Sequence, residues 1–209
     1  KIGMIGASFF SIIMASLLIY TAFGSENFLF SMLFFLLGLA SIAAAIKYTV
    51  GKSAYGYRGL GDVFVFLFFG LVSVLGSHFL YMHSFNFIAI LPAISIGLLS
   101  TAVLNLNNMR DQESDAKAQK NTLVVFLGAK KAKRYHYFLI LFAFICFTLF
   151  ILLAQFYRSA WCLLAFVPLF FHLKTVKENT SPVLLDPELK KVALSTFAIS
   201  LIFLILSFV

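Results

Sequence analysis

Charge is what this chain lacks most. Asp, Glu, Lys and Arg make up only 11% of its 209 residues, where a soluble domain carries about 25%. So few charges cannot cover a water-facing surface, which excludes a soluble globular protein and leaves an integral membrane protein. Acids are scarcer than bases, eight against sixteen, and no Asp stands before residue 47. Cysteine is down to Cys146 and Cys162, both inside apolar runs. They read as small buried hydrophobes, and indicate neither a disulfide framework nor a thiolate metal site. No His/Cys/Glu cluster has metal-ligand spacing, and neither a Ser-His-Asp arrangement nor a Gly-rich phosphate loop is present. The apolar runs lack period-two alternation, which argues against a membrane barrel. The first of them is long and is not followed by a small-residue cleavage site, so no signal peptide is indicated.

What is there is mostly hydrocarbon. The chain is 62% hydrophobic with 27 Phe, and its mean hydropathy is +1.00. Seven segments reach or approach the ~20 apolar residues that a spanning helix needs: 3–22, 28–46, 62–80, 87–104, 135–154, 159–173 and 191–209. The sixth is short and carries Pro168, which predicts a kink. The expected fold is all-α, a polytopic bundle of about seven spans, with 1–209 forming one membrane-embedded domain. Starting on Lys1 rather than Met, the chain is expected to have its natural N-terminus further upstream.

A net charge of +8 and a pI near 9.6 could suggest nucleic acid, but the placement of the bases argues otherwise. They fill the connections at 47–61, 105–134 and 174–190, while 23–27 and 81–86 have none and 155–158 has only Arg158. Rich and poor loops alternate across every span, which is the positive-inside pattern of a multi-pass plasma (inner) membrane protein with its base-rich loops in the cytoplasm. The expected surroundings are therefore a lipid bilayer and no nucleic acid, and no obligate protein partner is evident.

The most informative segment is Asn107-Asn108-Met109-Arg110-Asp111-Gln112-Glu113-Ser114-Asp115-Ala116-Lys117-Ala118-Gln119-Lys120. Asn107, Asp111 and Asp115 are four residues apart, which on a continuous helix puts their oxygens on one face. Hard oxygen donors of this kind suit Mg²⁺ holding a phosphate group. Arg110, Lys117 and Lys120 can neutralise phosphate oxygens, while Glu113 faces away at helical pitch. At the end of a membrane segment, such a stripe suggests a lipid-borne diphosphate, although a charged helix end can also be merely solvated.

A second segment, Tyr48 to Asp62, holds Gly51, Gly56, Gly59 and Gly61, which permit tight turns. Lys52 and Arg58 could add phosphate contacts, and Tyr48, Tyr55 and Tyr57 could face a carbocation. Asp62 stands at the mouth of the next span. The competing reading is a turn with interfacial tyrosines. Phe side chains could wall a prenyl tunnel, though most read as lipid-facing or packing. His78, His83, His136 and His172 lie near predicted span ends and read as interfacial.

The run Asn107-Asn108-Met109-Arg110-Asp111, then Asp115, then Lys120-Asn121-Thr122-Leu123-Val124-Val125 and Leu127-Gly128 resembles the second Asp-rich motif of the UbiA superfamily of membrane prenyltransferases. Tyr48-Thr49-Val50-Gly51, Tyr55-Gly56-Tyr57, Gly59-Leu60-Gly61-Asp62 and Phe68-Phe69-Gly70 resemble the subgroup that acts on 1,4-dihydroxy-2-naphthoate. The resemblance implies Mg²⁺-dependent transfer of a polyprenyl group from polyprenyl diphosphate to that aromatic acceptor, with loss of CO₂. It implies that Asp111 and Asp115, with Asn107 beside them, hold Mg²⁺ and diphosphate. Arg110, Lys117 and Lys120 would steady the diphosphate, and Tyr48 with the Gly59–Asp62 turn would border the acceptor or cation. Such proteins have about nine spans and an earlier Asp-rich motif, so the seven here are expected to match the last seven. Gln119 stands where relatives have Gly, which is expected to alter the turn presenting Lys120. Phe126 stands where relatives are often basic. Another aromatic acceptor, such as 4-hydroxybenzoate, is an alternative. So is a small transporter or assembly protein, although a transporter would carry its charges near the midplane of its spans.

Overall fold

The computed structural model describes residues 2–24, 26–51 and 54–208. Among these there is no strand, and seven helices are long and apolar enough to cross a membrane. Helices α1 (Ile2–Phe23) and α2 (Phe28–Thr49) form a hairpin. A single 3-10 turn at Tyr55–Tyr57 follows, then α3 (Gly61–Met82), α4 (Phe87–Arg110), the short α5 (Gln112–Lys117), α6 (Leu123–Leu153), α7 (Tyr157–Glu178) and α8 (Pro182–Ser207).

The predicted spans are all present, and the differences lie at their ends. α6 begins at Leu123, well before the predicted 135, because the Thr122 hydroxyl accepts from the Val125 N–H at 3.3 Å and starts the helix there. Hydropathy ends a span at Arg134, but lysine and arginine are good helix formers and the helical backbone continues through them as far as Gly128, whose φ of 74° and ψ of 161° kink it away from the turn at Leu123. In α8 the α-helical part opens at Asp186 with a proline in its first turn and Asp186 and Glu188 as acids, both favourable at a helix start. The kink expected at Pro168 takes another form. α7 is a 3-10 helix over Tyr157–Phe166 and α-helical from Val167. Pro168 thus falls in a first turn, where its missing N–H costs nothing.

α4 is the central helix, packed on α3, α6 and α8. The core around it includes Leu99, Leu106, Leu139, Ile140, Phe166 and Leu169, all buried. α3 reaches α4 closely at one crossing. A Cβ on Gly70 would stand 2.6 Å from the Gly97 Cα, and one on Gly97 would stand 2.9 Å from the Phe66 ring. Only hydrogen fits at either position, and small residues are what let membrane helices approach. This crossing lies in a π-helical stretch of α3, Phe66–Leu75. α1 and α2 stay peripheral, with Phe23 packed among Phe30, Phe34 and Phe79.

The base-rich connections meet at one end of the bundle. The Asn121 N–H donates to the Tyr57 carbonyl at 3.1 Å, and Gly59, at φ 75°, lies against the Asn121 carbonyl. Lys133 donates to the carbonyls of Lys177 (3.3 Å) and Asn179 (2.6 Å). The segments at 47–61, 105–134 and 174–190 therefore share one surface, as their charge predicts.

Candidate active site at the polar end of the bundle

The expected acidic stripe is not one continuous helix. α4 stops at Arg110, and Asp111 (φ −96°, ψ 8°) serves both as its C-cap and as the N-cap of α5. The polar side chains consequently divide into two neighbouring groups. In the outer one, Arg110 grips both Asp111 carboxylate oxygens, through Nε at 2.8 Å and Nη2 at 2.9 Å. Nη2 also donates to Asn107 Oδ1 at 2.8 Å, and Nη1 to Asp186 Oδ1 at 2.6 Å. The Arg110 contact holds the Asp111 carboxyl below the usual carboxylate range, with burial opposing and the Lys120 charge assisting.

In the inner group, Lys120 Nζ lies 3.1 and 3.2 Å from the two oxygens of the buried Asp115 carboxylate. The turn that brings them together is closed by Lys120 N–H to Asp115 O (2.9 Å) and Gln119 N–H to Ala116 O (3.1 Å), the Schellman pattern. That motif needs a left-handed residue, and Gln119 supplies it at φ 56°. Gln119 thereby accepts a conformation that favours glycine. Glu113 is exposed, as its pitch predicts.

Tyr48, half-buried at the end of α2, lies within electrostatic reach of Lys120, Asp62, Asp115 and Tyr57. Its ring meets Tyr55 edge-on at 5.5 Å, and Tyr55 stacks on Phe64 at 3.9 Å. The Tyr55 hydroxyl donates to the Ala44 carbonyl at 2.8 Å, and burial raises its pKa. Asp62, in the first turn of α3, is 4% exposed, and its Oδ1 has no partner. A cavity of about 440 Å³ lined by Tyr48, Tyr55, Phe64 and Phe68 adjoins this group. A second of similar volume, about 440 Å³, lies between α3, α4 and α8 and reaches Asn107. Val65 and Phe69 line both.

The structure thus brings together Asn107, Arg110, Asp111, Asp115, Lys120, Tyr48, Tyr57 and Asp62. It does not bring in Lys117 or Arg58, whose exposed side chains make no hydrogen bond or ion pair among the described residues. Lys52 lies outside the described residues. Among those described, no group of three or more His, Cys, Asp or Glu could hold a metal. Asp111, Asp115 and Asn107 are nonetheless oxygen donors of the kind Mg²⁺ takes. That ion is usually held by one or two carboxylates together with substrate phosphates and water, so the donor set fits Mg²⁺ arriving with a diphosphate.

Sequence reading missed two features. Asp186 joins Arg110, and its signal was an acid followed by Pro at a helix start. The interfacial assignment is wrong for His136 and His172. Both are fully buried, with their Nε2 atoms 2.8 Å apart. No local pattern carries a contact between side chains 36 residues apart.

Comparison with known proteins points the same way. The UbiA prenyltransferase family pattern matches residues 3–183. The chain is 43% identical over 173 residues to the 1,4-dihydroxy-2-naphthoate octaprenyltransferase of Escherichia coli (strain K12), covering 82% of this chain and 56% of that protein. It is 42% identical over 201 residues to the protein of the same name from Haemophilus influenzae, covering 96% and 64%. A UbiA prenyltransferase domain-containing protein 1 from Dictyostelium discoideum is 35% identical over 109 residues, covering 52% of this chain and 33% of that one. The chain therefore spans roughly six-tenths of the length of its bacterial relatives. No solved structure matches it.

Proposed function

Because the chain belongs to the UbiA prenyltransferase family, we propose that it transfers a polyprenyl group from polyprenyl diphosphate to 1,4-dihydroxy-2-naphthoate, the acceptor named in its bacterial relatives. The observation that carries this is the meeting of two unlike surfaces. Arg110 and Lys120, paired with Asp111 and Asp115, stand at the end of a bundle whose apolar cavities begin at Asn107 and Tyr48. A diphosphate on a long hydrocarbon tail needs both surfaces at once.

The Arg110 fork matches phosphate oxygens, and Lys120 adds a compact charge. Mg²⁺, held by Asp111, Asp115 and Asn107, would supply the further positive charge that stabilises departing pyrophosphate. As the allylic C–O bond breaks, its electrons leave with pyrophosphate. The rings of Tyr48, Tyr55 and Phe64 line the adjoining cavity and present negative faces to the cation left behind. Asp62 offers a buried, partnerless carboxylate oxygen to a hydroxyl of the acceptor, which holds the ring in place and enriches it in electrons. The ring carbon bearing the carboxylate forms the new C–C bond. Loss of that carboxylate as CO₂ returns the electron pair that restores aromaticity and gives the quinol form of demethylmenaquinone. The base-rich end faces the cytoplasm under the positive-inside rule, and the chain acts as a single domain of a plasma-membrane protein.

The test uses the full-length protein in nanodiscs with Mg²⁺. Asp111→Asn and Asp115→Asn are expected to lower kcat by about 10²-fold or more while expression is kept. Addition of EDTA should stop turnover, and 4-hydroxybenzoate should not be prenylated. Wild-type rates in either variant would overturn the assignment.

A further inference from the structure

Four buried side chains take no part in the site just described. Asn105 on α4, His136 on α6 and His172 on α7 are fully buried, and Glu188 on α8 is 6% exposed. His136 Nδ1 lies 3.1 Å from Asn105 Oδ1, His136 Nε2 lies 2.8 Å from His172 Nε2, and His172 Nδ1 meets Glu188 Oε2 at 2.5 Å. Lys191 Nζ closes the chain on Glu188 Oε1 at 2.6 Å. Four helices are joined by side chains alone.

The hydrogens of this chain can be counted. With Asn105 Oδ1 toward His136, the imidazole must donate there from Nδ1, which leaves Nε2 bare to accept from His172 Nε2. Because Lys191 at 2.6 Å keeps Glu188 ionised, His172 Nδ1 must still donate to that carboxylate, so His172 is doubly protonated and an extra charge is buried. Asn105 Nδ2 also keeps no partner. Turning the amide over removes both faults, since its two ends have the same shape and are assigned only by their partners. Asn105 Nδ2 then donates to His136 Nδ1, His136 Nε2–H to His172 Nε2, and His172 Nδ1–H to Glu188. Both rings are neutral, and the one buried anion is paired with Lys191. The partner then missing is for a carbonyl oxygen, a smaller cost than an orphaned N–H.

The geometry points to a one-way ladder of neutral donors, running from Asn105 to an ionised Glu188, that positions the anion-binding edge. Asn105 shares the last turns of α4 with Asn107 and Arg110. Glu188 shares the first turn of α8 with Asp186, the partner of Arg110. Locking α4 to α8 beneath the surface fixes how Arg110 is presented above it. His136, His172 and Glu188 are positioning residues in this account. The positioning role rests on the proposed transferase reading, but the direction of the ladder does not.

Direction is tested by ¹⁵N NMR of the histidine rings in full-length protein, with His78, His83 and any histidine outside residues 1–209 replaced by Gln so that only the pair reports. Wild type is expected to show an Nε2–H ring at His136, an Nδ1–H ring at His172, each assigned by its single replacement, and no doubly protonated ring at neutral pH. Asn105→Asp can only accept from His136, which reverses the ladder and should make one ring doubly protonated. A doubly protonated ring before substitution, or no change after it, would overturn the direction. Positioning is tested by kinetics. Glu188→Leu should raise KM for polyprenyl diphosphate about tenfold with kcat little changed, and Glu188→Gln, which still accepts from His172, should recover most of the loss. An unmoved KM in Glu188→Leu, or equal damage in Glu188→Gln, would overturn positioning. A wild type that turns over no polyprenyl diphosphate refutes the transferase reading, and the ring signals still decide the ladder.

Discussion

α2 and α6 have almost the same hydropathy, 2.4 and 2.5, yet none of the α2 window is buried and 44% of the α6 window is. Hydropathy reports that a helix prefers lipid to water. It is silent on whether lipid or protein surrounds the helix, because lipid tails are as apolar as leucine. What separates the two helices is the residues that make protein contact worthwhile. α6 turns Ala132, His136, Ala143 and Cys146 into the core. α4 adds Ser95, Thr101 and Asn105, with Ser95 reaching the Ala143 carbonyl at 2.8 Å. Large apolar side chains such as Phe28, Leu29, Leu33 and Leu36 of α2 stay exposed.

The largest break in this contrast should come from leucine in place of glycine. Gly97→Leu has no room beside Gly70 and Phe66 and is expected to abolish the folded bundle, whereas Gly38→Leu in α2 meets open space. Yield of monodisperse protein and thermal unfolding in nanodiscs check this, and equal tolerance of both would dissolve the core–periphery distinction. Next in size, Phe166→Ala in the core should cost ~3–5 kcal/mol, while Phe10→Ala, whose ring is 60% exposed, should change the unfolding midpoint little.

Two smaller effects sharpen the picture at the polar end. Gln119→Gly should raise stability by roughly 1 kcal/mol, because the left-handed backbone no longer opposes a Cβ. The last effect depends on pH. Asp111 has its folded pKa depressed by Arg110. Its contribution is therefore full above the ordinary carboxylate range and is lost only as pH falls through the lower folded value. Thermal midpoints of wild type and Asp111→Asn should differ by a constant amount from pH 8 down to about 5 and converge in stronger acid.

These contrasts also explain what could be read in advance. The seven spans were legible because a run of apolar residues long enough to cross lipid has few other uses. The meeting of the loops around Tyr57 and Asn121 was legible through charge, since bases on one side of a membrane collect there. The helix break at Asp111 was not, because the spacing of Asn107, Asp111 and Asp115 looks the same whether or not Arg110 draws two of them together. Nor was the pairing of His136 with His172. A histidine near a span end has the same local sequence whether it meets a headgroup or another ring. Asp186 was hidden differently, as an acid in a basic connection whose partner lies 76 positions earlier.

The length of α6 sets the depth of everything around it. Its regular part, from the break at Gly128 (φ 74°, ψ 161°) to Leu153, would extend ~37 Å at 1.5 Å per residue, beyond a hydrocarbon layer of ~30 Å. The excess carries Lys130 and Lys131, with Lys133 and Arg134 at its margin, so the helix cannot sink, and it works as a gauge of immersion. Counted from Leu153, His136 sits ~26 Å along that gauge, just inside the boundary where acyl chains give way to headgroups. The rungs at Asn105 and Glu188 lie at the same level, which leaves Arg110 and Lys120 in the wet layer directly above.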